Sequence, residues 1–182
     1  LPAEDVARVA ELPVVAGFTQ DRLGFFNEAR PANGPAQDLV DRIVGGMDSR
    51  FDPLDETRRV RVYVVDGGIR ADHDEIAGKL QYWRAIGTHH GGILRHVCER
   101  HGTAVASLIA GQTIGIAENV DLIDVDITPC DGRDPTAFPA SHILIALDWI
   151  SQTQSFLPGR GMPAVVNLSL GVPAGDPEAF VK

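Results

Sequence analysis

Residues 99–111 read E-R-H-G-T-A-V-A-S-L-I-A-G, a single charged and polar start followed by a long run of small and apolar residues. After His101 the residues are small or apolar up to Gly111, which predicts a buried helix that begins at the histidine. The first-turn N–H groups and the positive end of a helix dipole would keep an imidazole there neutral and able to accept a proton. A histidine with a purely structural role would give the same pattern, so the helix alone does not separate the two interpretations.

A second stretch supplies a partner for the histidine. Residues 61–69 read R-V-Y-V-V-D-G-G-I, an apolar run that predicts a buried parallel strand ending at Asp66. Active sites of open α/β sheets gather at the carboxyl ends of the strands. We therefore expect Asp66 to meet His101, to fix its tautomer and to stabilise its protonated form.

A third stretch, residues 165–171, reads V-V-N-L-S-L-G. Together, in this order and at this spacing, the three stretches resemble those of the subtilases, serine peptidases of the subtilisin and proteinase K type whose triad runs Asp, His, Ser along the chain. The resemblance implies an α/β fold with a parallel sheet and helices on both faces, incomplete at the C-terminus. It implies catalytic roles for Asp66 and His101. It also implies that a polypeptide substrate pairs by strand addition with Ser169, Leu170 and Gly171.

Two blocks of the resembling family do not occur in this sequence. Subtilases carry the nucleophilic serine in a G-T-S block and the oxyanion asparagine in an A-G-N block, both after the segment equivalent to residues 169–171. Acyl transfer needs both a nucleophile and donors for the oxyanion. We therefore expect that this polypeptide does not hydrolyse peptides alone, and that a C-terminal continuation or a second chain supplies both groups.

The alternative is a catalytically inactive subtilase-like subunit that serves as a structural or binding component of a larger assembly. Two departures from the family pattern favour it: Gly67 stands where Ser or Thr is usual, and Arg100 stands where a small residue is usual. The Arg100 guanidinium would disfavour a protonated His101 if it intruded on the cleft. If it pointed outward, it could instead select an acidic substrate residue.

The two cysteines, Cys98 and Cys130, flank the same expected cleft. In some secreted proteinase K-like proteins cysteines at similar places form a disulfide, which implies a bridge here and a secreted or endomembrane-lumenal location. Two unrelated free thiols are the alternative.

The sequence predicts that the N-terminal part of the chain is a unit separate from the catalytic domain. Residues 1–21 predict a short helix and a strand that resemble the end of an inhibitory propeptide, although an ordinary surface helix and strand would read the same way. Residues 22–59 are rich in proline and glycine and predict a connector. Since residues 37–43 resemble the start of mature proteinase K-like domains, we expect residues 1–35 to be propeptide tail plus linker. Residues 36–182 would then be the N-terminal part of the catalytic domain.

The charge balance and the lack of a long apolar run argue against a nucleic-acid partner and a membrane span. Sixteen basic and twenty-five acidic residues give a net charge of −9, which argues against a nucleic-acid partner. No apolar run approaches the roughly 18 residues of a membrane span. The D-H-D-E run at residues 72–75 looks like a cluster of metal ligands, but the resemblance to the subtilases implies that its histidine is structural, so no metal is assigned. Calcium remains possible by resemblance, without an assignable site. The three histidines of the glycine-rich segment are expected in a solvated loop: His89, His90 and His96.

Two further elements complete the prediction. Residues 120–127 alternate imperfectly, which predicts a strand with one face toward solvent. A helix is predicted over about residues 137–155, with one face marked by Ile143, Leu147 and Ile150.

Overall fold

The computed structural model describes residues 23–26, 59–87, 95–117, 119–130, 137–158 and 161–172. Within these ranges the strands are β1 (Leu23–Phe26), β2 (Val60–Asp66), β3 (Leu80–Ala85), β4 (Val120–Asp126), β5 (Ala137–Pro139), β6 (Ala164–Asn167) and β7 (Leu170–Gly171). The helices are α1 (Arg95–Ala110) and α2 (Ala140–Thr153).

Four strands form a parallel sheet in the order β3-β4-β2-β6. The pairing of β2 with β4 runs in register to the last residue of each strand, where Asp66 lies opposite Asp126. The predicted buried strand ending at Asp66 is therefore confirmed, and Asp66 lies at the carboxyl edge of the sheet.

Alternate side chains of β2 pack against helices on opposite faces of the sheet. Val62 and Val64 belong to a core cluster with two alanines of α1. Tyr63 and Val65 belong to a second cluster with Ala146 and Ile150 of α2. This alternation explains why β2 reads as a continuous apolar run, since both of its faces are buried. The predicted α/β fold, with helices on both faces of a parallel sheet, is confirmed.

The prediction of a half-solvated strand at residues 120–127 is wrong. Because β4 lies between two strands, with a core cluster on each face of the sheet, Asp124 is only 4% exposed and Asp126 only 6%. Asp124 Oδ2 accepts a hydrogen bond of 3.1 Å from the Ile69 amide, so the turn after β2 covers this carboxyl. Burial, reinforced by the nearby Asp126 charge, raises the pKa of Asp124 well above its ordinary value.

The predicted second helix is shorter than expected. It begins at Ala140 after Pro139, while residues 137–139 are strand β5. Its buried residues are Ala146 and Ile150, whereas Leu147 is exposed. Ile143 packs against the same core cluster as Ile150, so two of the three residues predicted for the inward face are confirmed, and Ala146 takes the place of Leu147.

A second sheet is antiparallel and has the order β5-β1-β7. Its central strand β1 comes from the region predicted to be a connector, so that prediction is wrong for residues 23–26. The predictions for residues 1–21, residues 37–43, His89 and His90 lie outside the described residues.

The described residues contain no helix with both the length and the apolar content needed to cross a membrane. In the same ranges, no group of three or more histidine, cysteine or acidic side chains is arranged to hold a metal ion.

Candidate active site

Asp66 is positioned by the end of β2 and by the turn that follows it. Its carboxylate is fully buried, and its Oδ1 accepts a hydrogen bond of 2.7 Å from the Gly67 amide. Gly68 then adopts a φ of 93°, and a Cβ at this residue would lie 2.7 Å from Asp126 Oδ2. Glycine is therefore required at Gly68, because both its backbone conformation and the space beside it exclude a side chain.

His101 contacts both oxygens of this carboxylate. Its Nδ1 lies 3.0 Å from Asp66 Oδ1 and 2.9 Å from Asp66 Oδ2. Because a carboxylate can only accept, Nδ1 must carry the proton and donate it, which places the lone pair of a neutral ring on Nε2. The histidine side chain is 18% exposed while Asp66 is closed to solvent. The arrangement can orient an imidazole for proton transfer and stabilise its cation.

The close approach of the helix to the strand depends on Gly102. A Cβ at this residue would overlap the Gly68 carbonyl oxygen and would lie 3.1 Å from both the Cβ and Oδ1 of Asp66. These neighbours are backbone and a buried carboxylate, so they cannot move aside easily. The glycine after His101 therefore sets the distance at which His101 and Asp66 meet.

His101 is not at the start of its helix, so this part of the prediction is wrong. Helix α1 begins at Arg95, which makes His101 its seventh residue, and His96 lies in its first turn instead of a loop. Cys98 and Glu99 are buried, so the core-facing side of the helix starts before the H-G-T sequence, at which the apolar pattern predicts its beginning. The dipole of α1 therefore does not act on His101, because its effect is confined to the first turn, and the ring is oriented by its contact with Asp66.

Cys98 and Cys130 form a disulfide with a Cα–Cα distance of 6.0 Å. Cys98 lies about one helical turn before His101, and Cys130 follows β4 with a φ of 47°. The bridge therefore ties the helix that carries His101 to the segment leaving the carboxyl edge of the sheet.

Thr103 provides a second link around the site. Its hydroxyl accepts a hydrogen bond of 2.8 Å from the Arg70 amide and donates one of 2.6 Å to the Glu99 carbonyl. The turn after Asp66 is thus attached to the helix two residues beyond His101.

Arg100 is exposed. It lines an open cavity of about 480 Å³ with Arg70, His73 and His96 among others, and neither Asp66 nor His101 lines that cavity. Of the two orientations left open by the sequence, the structure shows the outward one.

The predicted substrate-binding residues lie in the second sheet. Leu170 and Gly171 form β7 and pair with Phe26 and Phe25 of β1, respectively. Ser169 lies just before this strand, and its hydroxyl donates a hydrogen bond of 2.9 Å to Asn167 Oδ1.

The sequence did not predict β5, the strand that pairs with the other edge of β1. Leu23, Gly24 and Phe25 of β1 pair with Pro139, Phe138 and Ala137 of β5. A strand of three residues carries no periodic signal, and its partner lies more than a hundred residues earlier in the chain. Only the folded chain shows that β5 and β7 flank the same strand.

Comparison with known proteins agrees with the sequence resemblance. The subtilase (peptidase S8) family model matches residues 57–180. An extracellular serine proteinase of Thermus sp. (strain Rt41A) is 32% identical over 173 residues, which is 94% of this chain and 39% of that protein. Subtilisin-like protease 6 of Arthroderma benhamiae is 29% identical over 137 residues, which is 72% of this chain and 31% of that protein.

A solved structure, that of a cold-adapted subtilisin-like serine proteinase, aligns with a TM-score of 0.44 at 26% identity and covers 72% of this chain and 42% of the other. This chain therefore spans between about a third and two fifths of the relatives described here. Since the family model covers well over half of the sequence, the chain belongs to the subtilase family.

Proposed function

We propose that this chain is part of a subtilase-type serine endopeptidase in which Asp66 and His101 are two members of the catalytic triad. The observation that carries the proposal is the contact between a fully buried carboxylate and Nδ1 of a partly exposed imidazole. In this arrangement His101 Nε2 takes the proton of a serine hydroxyl as general base and later returns it to the leaving amine as general acid. Asp66 holds the tautomer and stabilises the imidazolium that forms.

The nucleophilic serine and the oxyanion asparagine come from polypeptide outside residues 1–182. The 182 residues contain no G-T-S or A-G-N block, and the chain spans only part of the length of its relatives. A continuation of this chain and a second chain are equally compatible with the geometry.

The substrate binds as an extended strand beside β7. Support comes from β1, an extended segment already held by backbone pairing between β5 and β7. Main-chain pairing of this kind accepts different side chains, which suits an endopeptidase that cleaves polypeptides. Residues 1–35 then act as the end of an inhibitory propeptide, with β1 covering the binding strands, and residues 36–182 belong to the catalytic domain.

A secreted or lumenal location fits this function. The Cys98–Cys130 disulfide persists in oxidising compartments, and the Thermus relative is named as an extracellular proteinase.

The test is labelling of the native protein with a serine-directed fluorophosphonate, together with cleavage of a polypeptide substrate. His101→Gln should lower the rate of cleavage by about 10⁴-fold or more, because the proton acceptor for the serine is lost. His96→Ala is the matched control, since this histidine is on the same helix but exposed and away from Asp66. Wild-type levels of cleavage in His101→Gln would refute the role of His101.

The same experiment tests the inactive-subunit alternative. If the native protein neither cleaves polypeptide nor carries the label on any polypeptide of the assembly, the chain is a structural or binding component. Circular dichroism of each variant distinguishes a lost catalytic group from a lost fold.

A further inference from the structure

The strand β1 contains a buried glycine that faces the ring of Phe138. Gly24 of β1 pairs with Phe138 of β5. A Cβ built on Gly24 would overlap Phe138 Cε2, would lie 2.5 Å from Phe138 Cζ and would lie 3.1 Å from the carbonyl oxygen of Gly171. A side chain at this point of the strand therefore meets an aromatic ring and the backbone of the opposite strand at once.

The position of the Phe138 side chain is fixed by its surroundings. Its side chain is fully buried in the core cluster that includes Tyr63 and Val65. Pro139 follows it, and a residue before proline is confined to an extended backbone. His142, in the first turn of α2, donates a hydrogen bond of 2.7 Å from Nδ1 to the Ile127 carbonyl, which attaches this region to the end of β4. In a close-packed interior the ring has no vacant space into which it can swing.

We infer that Phe138 restricts the residue of a bound polypeptide that lies opposite it to glycine. This inference rests on the proposed function, because it takes β1 as a guide to the path of a substrate between β5 and β7. Phe138 acts by exclusion: its ring occupies the volume that a substrate side chain would otherwise enter. Substrate sequences with glycine at one fixed distance from the scissile bond are then selected over all others.

The size of the preference follows from the overlap. A Cβ at this point cannot be relieved on the Gly171 side, where the obstacle is a carbonyl of a paired strand, so the buried ring or the whole substrate strand must shift. Overpacking of a buried site by one or two carbon atoms is disfavoured enough to give at least about a tenfold preference for glycine over alanine. Larger side chains should be excluded more strongly.

The first experiment tests the steric claim inside the native protein, by hydrogen exchange of the amides of residues 23–26. Gly24→Ala should speed their exchange by about tenfold or more, since the strand can no longer lie between its partners. Phe138→Leu lacks both ring atoms that the added Cβ would approach. The double variant should therefore restore slow exchange. Ile150→Val is the matched control, because it loosens the same core cluster from α2 and should not restore it.

If Phe138→Leu does not fold, Phe138→Met replaces it, because a flexible side chain of similar volume can yield where a ring cannot. Unchanged exchange in Gly24→Ala would overturn the inference. Exchange in the double variant as fast as in Gly24→Ala would overturn it as well.

The second experiment profiles cleavage sites in a mixed peptide library with the native protein after release of residues 1–35, because β1 otherwise occupies the space between β5 and β7. Glycine should be enriched at least about tenfold at one fixed position, and Phe138→Leu should admit alanine and larger residues there. Cleavage without a glycine requirement at any position would overturn the role of Phe138 and leave the peptidase function standing. Absence of all cleavage and of fluorophosphonate labelling would overturn the proposed function, while hydrogen exchange would still decide whether Phe138 excludes side chains from the strand.

Discussion

The loss of stability caused by removing the Cys98–Cys130 disulfide can be calculated directly from the structure. The bridge closes a loop with a sequence separation of 32 that contains most of α1 and all of β4. Replacing both cysteines by serine leaves the folded contacts largely in place but frees the unfolded chain. We expect the double variant Cys98→Ser/Cys130→Ser to fold and to be less stable.

The magnitude follows from the loop length. For a closed loop of this size, the loss of chain entropy in the unfolded state corresponds to about 3.7 kcal/mol at 25 °C. Serine at Cys98 and Cys130 also leaves two hydroxyls in sites that are only 4% and 3% exposed, which adds a further cost. A total loss of about 4–6 kcal/mol is a large part of the stability of an ordinary domain.

The assay is urea unfolding, followed by circular dichroism, of the native protein and of the double variant. Reductant is the internal control: it should destabilise the native protein by the chain-entropy part of this loss and leave the variant unchanged, because the sequence has only two cysteines. Loss of the bridge should also loosen the helix three residues before His101, so the cleavage rate should fall at urea concentrations well below the unfolding midpoint.

Two results would refute this reasoning. A double variant within about 0.5 kcal/mol of the native protein would show that the loop is already restrained in the unfolded state. A native protein whose midpoint does not respond to reductant would show that Cys98 and Cys130 are not bridged in solution.

Two further changes test the packing around the site. Gly102→Ala should lower the free energy of unfolding by about 1–3 kcal/mol, because the new methyl group overlaps the Gly68 carbonyl and Asp66. In an open helix alanine would be more stable than glycine, so a gain in stability measured by urea unfolding would contradict the close approach. Asp124→Asn tests the buried carboxyl. Because the pKa of Asp124 is raised in the folded state, the folded state keeps a proton that the unfolded state releases above about pH 4. The free energy of unfolding of the wild type therefore falls as the pH rises from there. The asparagine variant should therefore gain stability relative to wild type between pH 4.5 and pH 8, and an equal difference at both pH values in urea unfolding would contradict this sign.

The α/β class and the contact between Asp66 and His101 are predictable from the sequence. The contact follows from local patterns: an apolar run predicts a buried strand, and a polar residue where it stops is expected at the edge of the sheet. The fold class rests on the resemblance to the subtilases. The helix after His101 was also evident, but its start was not, because residues 95–100 join it through burial of Cys98 and Glu99 that no periodicity shows.

Which faces of the sheet are covered is not predictable from the sequence and depends on the packing of the folded chain. Asp124 and Asp126 look solvated in the sequence, yet a central strand of the sheet buries them, since exposure depends on neighbouring strands and loops that are distant in the chain. The same holds for Gly24, whose need to be glycine is set by Phe138 and Gly171, both more than a hundred residues away. Patterns along the chain report local conformation and average burial, whereas a steric limit of this kind exists only after three separate strands have come together.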